Sequence, residues 1–246
     1  MQSATEVYVR STVPSVGDFY RTNRGGGLLS EAVHQWGGAL FARAGFRRGT
    51  APTTLTLTNL VLGLGASVAV IALAGPAAAG TVPFWVPGLI ALVGWQIAYM
   101  LDCADGQLAR VSGRQSAAGG RVDILCDVAA QIGLVTAVSS VMLAQRPDTP
   151  LWLVALFAGS WMVNLVTSVM QSGPAAASMV TSRSLPVRLV KLVRDYGAVI
   201  TLFALVILFI PQWTIVPVVF FTAVNTLFLF ASIAFSARAA LRAAPR

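Results

Sequence analysis

"ALVGWQIAYMLDCADGQLARVSGRQSAAGGRVDILCDVAAQIGLV", residues 91–135, passes from one apolar segment to the next through four aspartates, Asp102, Asp105, Asp123 and Asp127. The chain has only nine acidic residues, so nearly half of them fall in this one stretch. The flanking segments read as membrane spans, where an unpaired charge is expensive. Asp102 and Asp105 are three residues apart, and Asp123 and Asp127 four apart. On helices, both spacings place the carboxylates on one face, one turn from each other. An antiparallel helix pair joined by a short turn brings the two faces together. The first of these helices is expected to run out into Asp102 and the second to begin at about Arg121. The cluster then occupies a helix end, a turn containing Gly113, Gly119 and Gly120, and a helix start.

The rest of the chain fits a membrane setting. Of 246 residues, 56% are hydrophobic and only 11% charged, which places the chain in the integral-membrane class. A bilayer core of about 30 Å takes roughly 20 apolar residues per helix. Six stretches qualify: 55–74, 82–101, 122–144, 151–171, 198–212 and 215–237. No basic region followed by an apolar core and a cleavage site opens the sequence, so no signal peptide is expected. Six Arg lie before the first span, three in 102–121, four Lys/Arg in 183–194 and three in the C-terminal tail. With six spans and both termini on one side, sixteen of the seventeen basic residues share that side. The positive-inside rule makes it the cytoplasm. The net charge of +8 is thus mainly a topology signal; anionic lipid headgroups are a secondary partner, and nucleic acid is not expected as one.

Residues 1–27 read as a polar arm ending in "RGGG". In the following "LLSEAVHQWGGALFARAGFRR", Leu29, Val33, Trp36 and Leu40 recur at helical spacing, with Arg43, Arg47 and Arg48 toward the end. That pattern fits an amphipathic helix in the cytoplasmic interface; the alternative is a soluble helix packed on the membrane domain. Gly37 and Gly38 weaken either helix, and His34 reads as an exposed polar residue. The expected division is therefore 1–52, a cytoplasmic arm and interfacial helix, and 53–246, a six-helix transmembrane catalytic domain. Cys103 and Cys126 read as small packing residues and not as a disulfide. With a single histidine, read as exposed, neither a His-based zinc site nor a Ser-His-Asp triad is expected.

Four carboxylates converging at the edge of a low-dielectric slab need cations among them. Mg²⁺ and Mn²⁺ favour carboxylate oxygens and share them with substrate phosphates. Two such ions would form a two-metal site for phosphoryl chemistry. Gly106 leaves room for close backbone approach, Ala109 keeps the next turn small, Arg110 offers a planar cation to phosphate oxygens, and Gly119 removes bulk one turn before Asp123. Ion pairing of single aspartates with Arg110, Arg114 or Arg121 is the plainer reading. It does not require four Asp at these intervals with small residues between them.

The stretch resembles the signature of the CDP-alcohol phosphotransferase family, D-x-x-D-G-x-x-A-R-x₈-G-x-x-x-D-x-x-x-D. Every signature position is matched, by Asp102, Asp105, Gly106, Ala109, Arg110, Gly119, Asp123 and Asp127. The resemblance implies transfer of a phosphatidyl or phospho-alcohol group from a CDP-linked donor, commonly CDP-diacylglycerol, to a second alcohol with release of CMP. It further implies that the four aspartates hold two Mg²⁺ or Mn²⁺ ions against the diphosphate, and that Asp127 is also the general base. Gly106, Ala109, Arg110, Gly119 and Ser116 would line the CDP pocket. Asn59 would serve from the first span, although the family often has Thr three residues later, where this chain has Leu62. A homodimer is implied too.

The acceptor alcohol stays open. Family members that use inositol phosphate often carry Arg directly after the fourth Asp, where this chain has Val128. Arg183, Arg188, Lys191 and Arg194 are available to a phosphorylated acceptor or simply anchor the loop. Asp195 either pairs with basic residues near Arg194 or faces the acceptor. Competing readings are an intramembrane prenyltransferase, which needs a second acidic motif that is missing here, and a divalent-cation transporter, whose site is expected near the midplane. An inactive scaffold is the third, against which the complete motif argues.

Overall fold

The computed structural model describes residues 13–23, 27–170 and 195–243, and every regular element among them is helical. A short helix α1 (Val16–Arg21) opens with a reciprocal cap. The Asp18 amide donates to Ser15 Oγ at 3.3 Å, and Asp18 Oδ2 accepts the Ser15 amide at 2.8 Å. Arg21 closes the turn with a 2.9 Å ion pair to Asp18. A π-helical turn, Ser30–His34, leads directly into α2 (Gln35–Arg47).

The paired glycines that weaken α2 as an isolated helix are what seats it. A Cβ at Gly37 would lie 2.5 Å from Met100 Sδ, and one at Gly38 would lie 2.7 Å from Cys103 Cβ. Helix α2 is thus pressed flush on α4 (Val86–Val111), with Gly38, Ala39, Ala42 and Gly45 buried. Gln107 of α4 donates to the Gln35 carbonyl and side-chain oxygens at 3.0 and 2.7 Å. The opposite face leaves Val33, Trp36 and Leu40 exposed; Trp36 stacks on Tyr20 at 4.3 Å.

Helices α3 (Pro52–Ala78), α4 and α5 (Ala117–Gln145) form the half of the bundle that carries the aspartates. They have 27, 26 and 29 residues, roughly 39–44 Å at 1.5 Å per residue, longer than the bilayer core. Small residues allow their close approach. A Cβ at Gly94 would stand 2.4 Å from Ala66 Cβ, and one at Gly133 would stand 2.8 Å from Leu64 Cδ2. The other half is α6 (Leu151–Met170), α7 (Tyr196–Phe209) and α8 (Ile215–Ala243), preceded by the 3₁₀ turn Pro211–Trp213. Phe157, Trp161, Phe203 and Phe221 form its aromatic core, with Trp161 stacked on Phe221 at 4.7 Å. The halves meet where α7 crosses α4: a Cβ at Gly88 would lie 2.2 Å from Leu208 Cα.

Among the described residues, four helices are long and apolar enough to cross a membrane: Pro52–Ala78, Val86–Val111, Ala117–Gln145 and Pro211–Ala234. The remaining two expected spans correspond to the shorter apolar helices α6 and α7. Helix α7 has 14 residues, roughly 21 Å, short of the bilayer core.

Several expectations are corrected. Helix α4 does not stop at Asp102 but continues to Val111, and α5 starts at Ala117 and not at Arg121. All four aspartates, Gly119 and Gly120 are therefore inside helices, and the connection shrinks to residues 112–116. Its ends explain why. Gly113 sits at φ 66°, with the Arg114 amide bonded to the Ala109 carbonyl at 2.9 Å and the Gly113 amide to that of Arg110 at 3.4 Å. This pair of bonds is the C-terminal stop that glycine permits. Ser116 then caps α5, its Oγ accepting the Gly119 amide at 3.0 Å. Hydropathy cuts a helix at its first charge, whereas backbone hydrogen bonds do not. His34 is fully buried and not exposed, because the Ser30–His34 turn tucks it beneath α7, against Gly197. Cys103 and Cys126 are buried free thiols, as expected.

Candidate active site

Helix register converts the sequence spacing into one acidic cleft. Asp102, Asp123 and Asp127 each offer a carboxylate oxygen within 4.8 Å of the other two. Across the α4–α5 seam the four carboxylates face one another in two pairs, Asp102 with Asp127 and Asp105 with Asp123. Asp105 is set slightly apart: its Oδ2 accepts a short hydrogen bond from Thr56 Oγ1 of α3. One turn further along the same face of α3, Asn59 Nδ2 donates to Asp102 Oδ1 at 3.2 Å. Thr56, Asn59 and Asp105 are buried, so two neutral α3 side chains orient the two α4 carboxylates.

Thr56 is absent from the sequence reading. Its signal is there in retrospect, since Thr56 lies three residues before Asn59 and so shares its helix face.

Gly106, Ala109, Arg110, Ser116 and Gly119 cluster toward the end of the bundle that holds the 112–116 connection. The Arg110 guanidinium folds back over Gly106, where a Cβ would stand 2.9 Å from Nη1, and it lies within electrostatic reach of Asp123. Ala109, half-buried, follows Asp105 by one turn on the same face. A Cβ at Gly119 would meet Ser116 Oγ at 3.1 Å and Thr53 Oγ1 at 4.0 Å, so the start of α5 closes on the start of α3. Ser116 is exposed and its oxygen is engaged as the α5 cap. Arg114 reaches the Gly49 carbonyl at 3.5 Å.

The residues present fit divalent cations. Three carboxylates converge on a space that one or two ions would fill, and Asp123 Oδ1 is buried with no hydrogen-bond partner. A buried anionic oxygen left unpaired is costly, and an ion would satisfy it. The donors are all hard oxygens, which suits Mg²⁺ or Mn²⁺ over thiophilic metals.

On the membrane-interior side of Asp102 and Asp127 a cavity of about 260 Å³ extends into the bundle. Asn59, Tyr99, Gln131 and Tyr196 supply its polar walls, and Trp161 and Phe221 are among its aromatic ones.

Among the described residues, the partners of Asp195 are backbone amides and the Ser30 hydroxyl. Asp195 is 2% exposed and clasps the segment before α2. Oδ2 accepts the amides of Leu29 at 2.8 Å and Ser30 at 3.2 Å, and Oδ1 accepts the Ser30 hydroxyl and, at 3.4 Å, the Ala198 amide that begins α7. Beside it, His34 Nε2 bonds Gln96 Oε1 at 2.5 Å, and Gly197 leaves space for the imidazole, since a Cβ there would lie 2.6 Å from Nδ1. Arg183, Arg188, Lys191 and Arg194 lie outside the described residues.

Fold and site together define an α-helical, multi-pass membrane protein with an acidic cleft suited to divalent cations and phosphate. More narrowly, the chain belongs to the CDP-alcohol phosphatidyltransferase family, whose model it matches over residues 49–237. Membership makes it a transferase of substituted phosphate groups in phospholipid synthesis, from a family that uses divalent metal. No curated protein gives a significant match to the chain.

Proposed function

We propose that this chain transfers a phosphatidyl group from CDP-diacylglycerol, or a phospho-alcohol group from a related CDP-linked donor, to an acceptor alcohol and releases CMP. The observation that carries this reading is the meeting of Asp102, Asp123 and Asp127 within 4.8 Å, with Asp105 held beside them, in a chain of this family. Asp102, Asp105, Asp123 and Asp127 hold two ions, Mg²⁺ or Mn²⁺. When bound, these offset the charge of the diphosphate and of the departing CMP.

The remaining work falls to side chains. Gly106, Ala109 and Gly119 leave room for the nucleotide, and the Arg110 guanidinium donates to phosphate oxygens through its planar fork. Ser116 contributes from the rim of the same pocket. Asn59 fixes the Asp102 carboxylate and Thr56 that of Asp105, so neither must reorganise as charge develops. Asp127 takes the proton of the acceptor hydroxyl. The acceptor oxygen forms its bond to the phosphorus that bears the donor's alcohol. The bond from that phosphorus to the CMP phosphate oxygen breaks, and CMP leaves with the electron pair.

In this reading residues 53–246 are a six-helix catalytic domain, with α6 and α7 completing the crossing. Residues 1–52 form the cytoplasmic arm and interfacial segment. The exposed Val33, Trp36 and Leu40 opposite the buried glycine face support α2 lying in the headgroup layer. The cluster of basic residues supports cytoplasmic termini and active site, and the working unit is a homodimer. The test is purified protein with labelled CDP-diacylglycerol, Mg²⁺ or Mn²⁺ and an acceptor panel, following CMP and lipid product together. Stoichiometric CMP and lipid support the assignment. Inorganic diphosphate released from a prenyl donor, or metal flux into sealed vesicles without nucleotide, replaces it with a prenyltransferase or a transporter.

A further inference from the structure

We infer that Ser30 and Asp195 are positioning residues of the acidic cleft: they hold the hydroxyl hydrogen of Tyr99 on Ser30, away from Asp102, so that Asp102 keeps an oxygen open to a cation. The inference rests on the divalent-cation reading of the four aspartates. It extends that reading to Ser30, which precedes the family match at residues 49–237.

The sense of each hydrogen bond follows from the hydrogens available. A carboxylate only accepts, and a serine hydroxyl has one hydrogen and two lone pairs. Ser30 gives its hydrogen to Asp195 Oδ1. Its lone pairs take the Gly197 amide at 3.2 Å and the Tyr99 hydroxyl at 3.0 Å, so Tyr99 is the donor in that pair. The Leu29 and Ser30 amides hold Asp195 Oδ2, which keeps Oδ1 turned to the Ser30 hydroxyl.

The Tyr99 ring is fixed as well. It packs against the His34 ring at 4.7 Å and the Tyr196 ring at 4.9 Å. The freedom left to it is the direction of one O–H bond, and one hydrogen serves one partner at a time.

A hydrogen not held by Ser30 has Asp102 as its strongest alternative. Asp102 follows Tyr99 by one turn of α4, the two line the same cavity, and the charge of Asp102 reaches the phenol. Asn59 already occupies Asp102 Oδ1 at 3.2 Å, which leaves Oδ2 for a cation. A phenol hydrogen on that oxygen would compete with the cation for it. The Cys103 thiol is also within hydrogen-bonding reach of Tyr99, but sulfur accepts more weakly than a carboxylate.

Asp195→Asn reverses the chain of bonds with little change of shape. The two amides keep a carbonyl oxygen in the Oδ2 position, which puts the new NH₂ group against Ser30 Oγ. Ser30 then turns its own hydrogen to Tyr99, and the Tyr99 hydrogen is released. Ser30→Ala releases the same hydrogen by removing its acceptor, with Asp195 still holding the backbone amides, and gives the same readout where Asp195→Asn does not fold.

The test is Mn²⁺ titration of the purified full-length protein, followed by electron paramagnetic resonance, with each substitution made alone and together with Tyr99→Phe. Asp195→Asn and Ser30→Ala should each raise the Mn²⁺ dissociation constant about 3- to 10-fold, the value of one hydrogen bond that must break before the ion binds. Tyr99→Phe, which keeps the ring and removes the hydrogen, should leave that constant at its wild-type value, and both double variants should return to it. The unfolding midpoint, by contrast, should fall in Asp195→Asn and Ser30→Ala whether or not Tyr99 is replaced.

Mn²⁺ affinity lowered equally with and without the Tyr99 hydroxyl overturns the inference, because the clasp would then act through packing alone. So does wild-type affinity in both Asp195→Asn and Ser30→Ala, or weakened binding in Tyr99→Phe by itself. A wild-type protein that binds no Mn²⁺ instead removes the cation reading, and the inference with it.

Discussion

Thr56→Val tests whether the acidic cleft depends on the α3 side chains that orient it. Valine matches threonine in shape, so the substitution removes one hydroxyl and leaves the packing of α3 on α4 intact. Thr56 is 4% exposed and Asp105 6%, so water does not replace the lost donor. A hydrogen bond to a charged group contributes about 1.5–3 kcal/mol, and 1.4 kcal/mol is about tenfold in an equilibrium constant. Loss of a partner that orients a metal-binding carboxylate costs about 10–100-fold in metal affinity or activity, in line with that energy. Mn²⁺ titration of the purified protein followed by electron paramagnetic resonance should therefore show a dissociation constant raised about tenfold or more. CMP release at fixed Mn²⁺ should fall in parallel. Thr56→Ser, which restores the hydroxyl, should recover most of both. Wild-type Mn²⁺ affinity in Thr56→Val would refute the reasoning, because Asp105 would then be shown not to need its partner.

Asp127→Asn is expected to retain CDP-lipid binding and lose turnover, while Asp105→Asn weakens metal binding itself; Mn²⁺ titration beside CMP release separates the two. Asp195→Ala strips the acceptor from the Leu29 and Ser30 amides, the Ser30 hydroxyl and the first turn of α7. It should destabilise the protein by about 3 kcal/mol or more, read as a lowered unfolding midpoint in detergent, with Asp195→Asn intermediate. Gly88→Ala forces a Cβ to within 2.2 Å of the Leu208 Cα, which backbone cannot yield, and should cost about 1–3 kcal/mol. Gly65→Ala, where a Cβ meets nothing within 4 Å, should be neutral or stabilising by about 0.5–1 kcal/mol. The same unfolding measurement ranks the pair.

The acidic cleft was legible because it is written in local periodicity. Intervals of three and four on two consecutive helices determine which carboxylates share a face, whatever else the chain does. The helix ends were less so. Hydropathy stops at Asp102, while the stop itself is set by Gly113 and the cap by Ser116, which act through the backbone. The Asp195 clasp could not be read at all. Its partners Leu29 and Ser30 are more than 160 residues away in sequence, and nothing local distinguishes a carboxylate that will meet two amides from one that will meet arginine. His34 was misjudged for a related reason. A lone histidine in a short amphipathic stretch looks exposed until Gly197, on a distant helix, supplies the space that buries it. Gly37 and Gly38 show the converse: residues that weaken an isolated helix are those that let α4 approach.

The central claim is that divalent cations sit among the four aspartates and hold a nucleotide diphosphate there. Anomalous diffraction from crystals grown with Mn²⁺ and CDP tests it most directly. Two manganese peaks within coordination distance of Asp102, Asp105, Asp123 and Asp127, each also touching a phosphate oxygen, are the predicted result. Carboxylates turned to arginine side chains, with no anomalous density between α4 and α5 at full CDP occupancy, would contradict it.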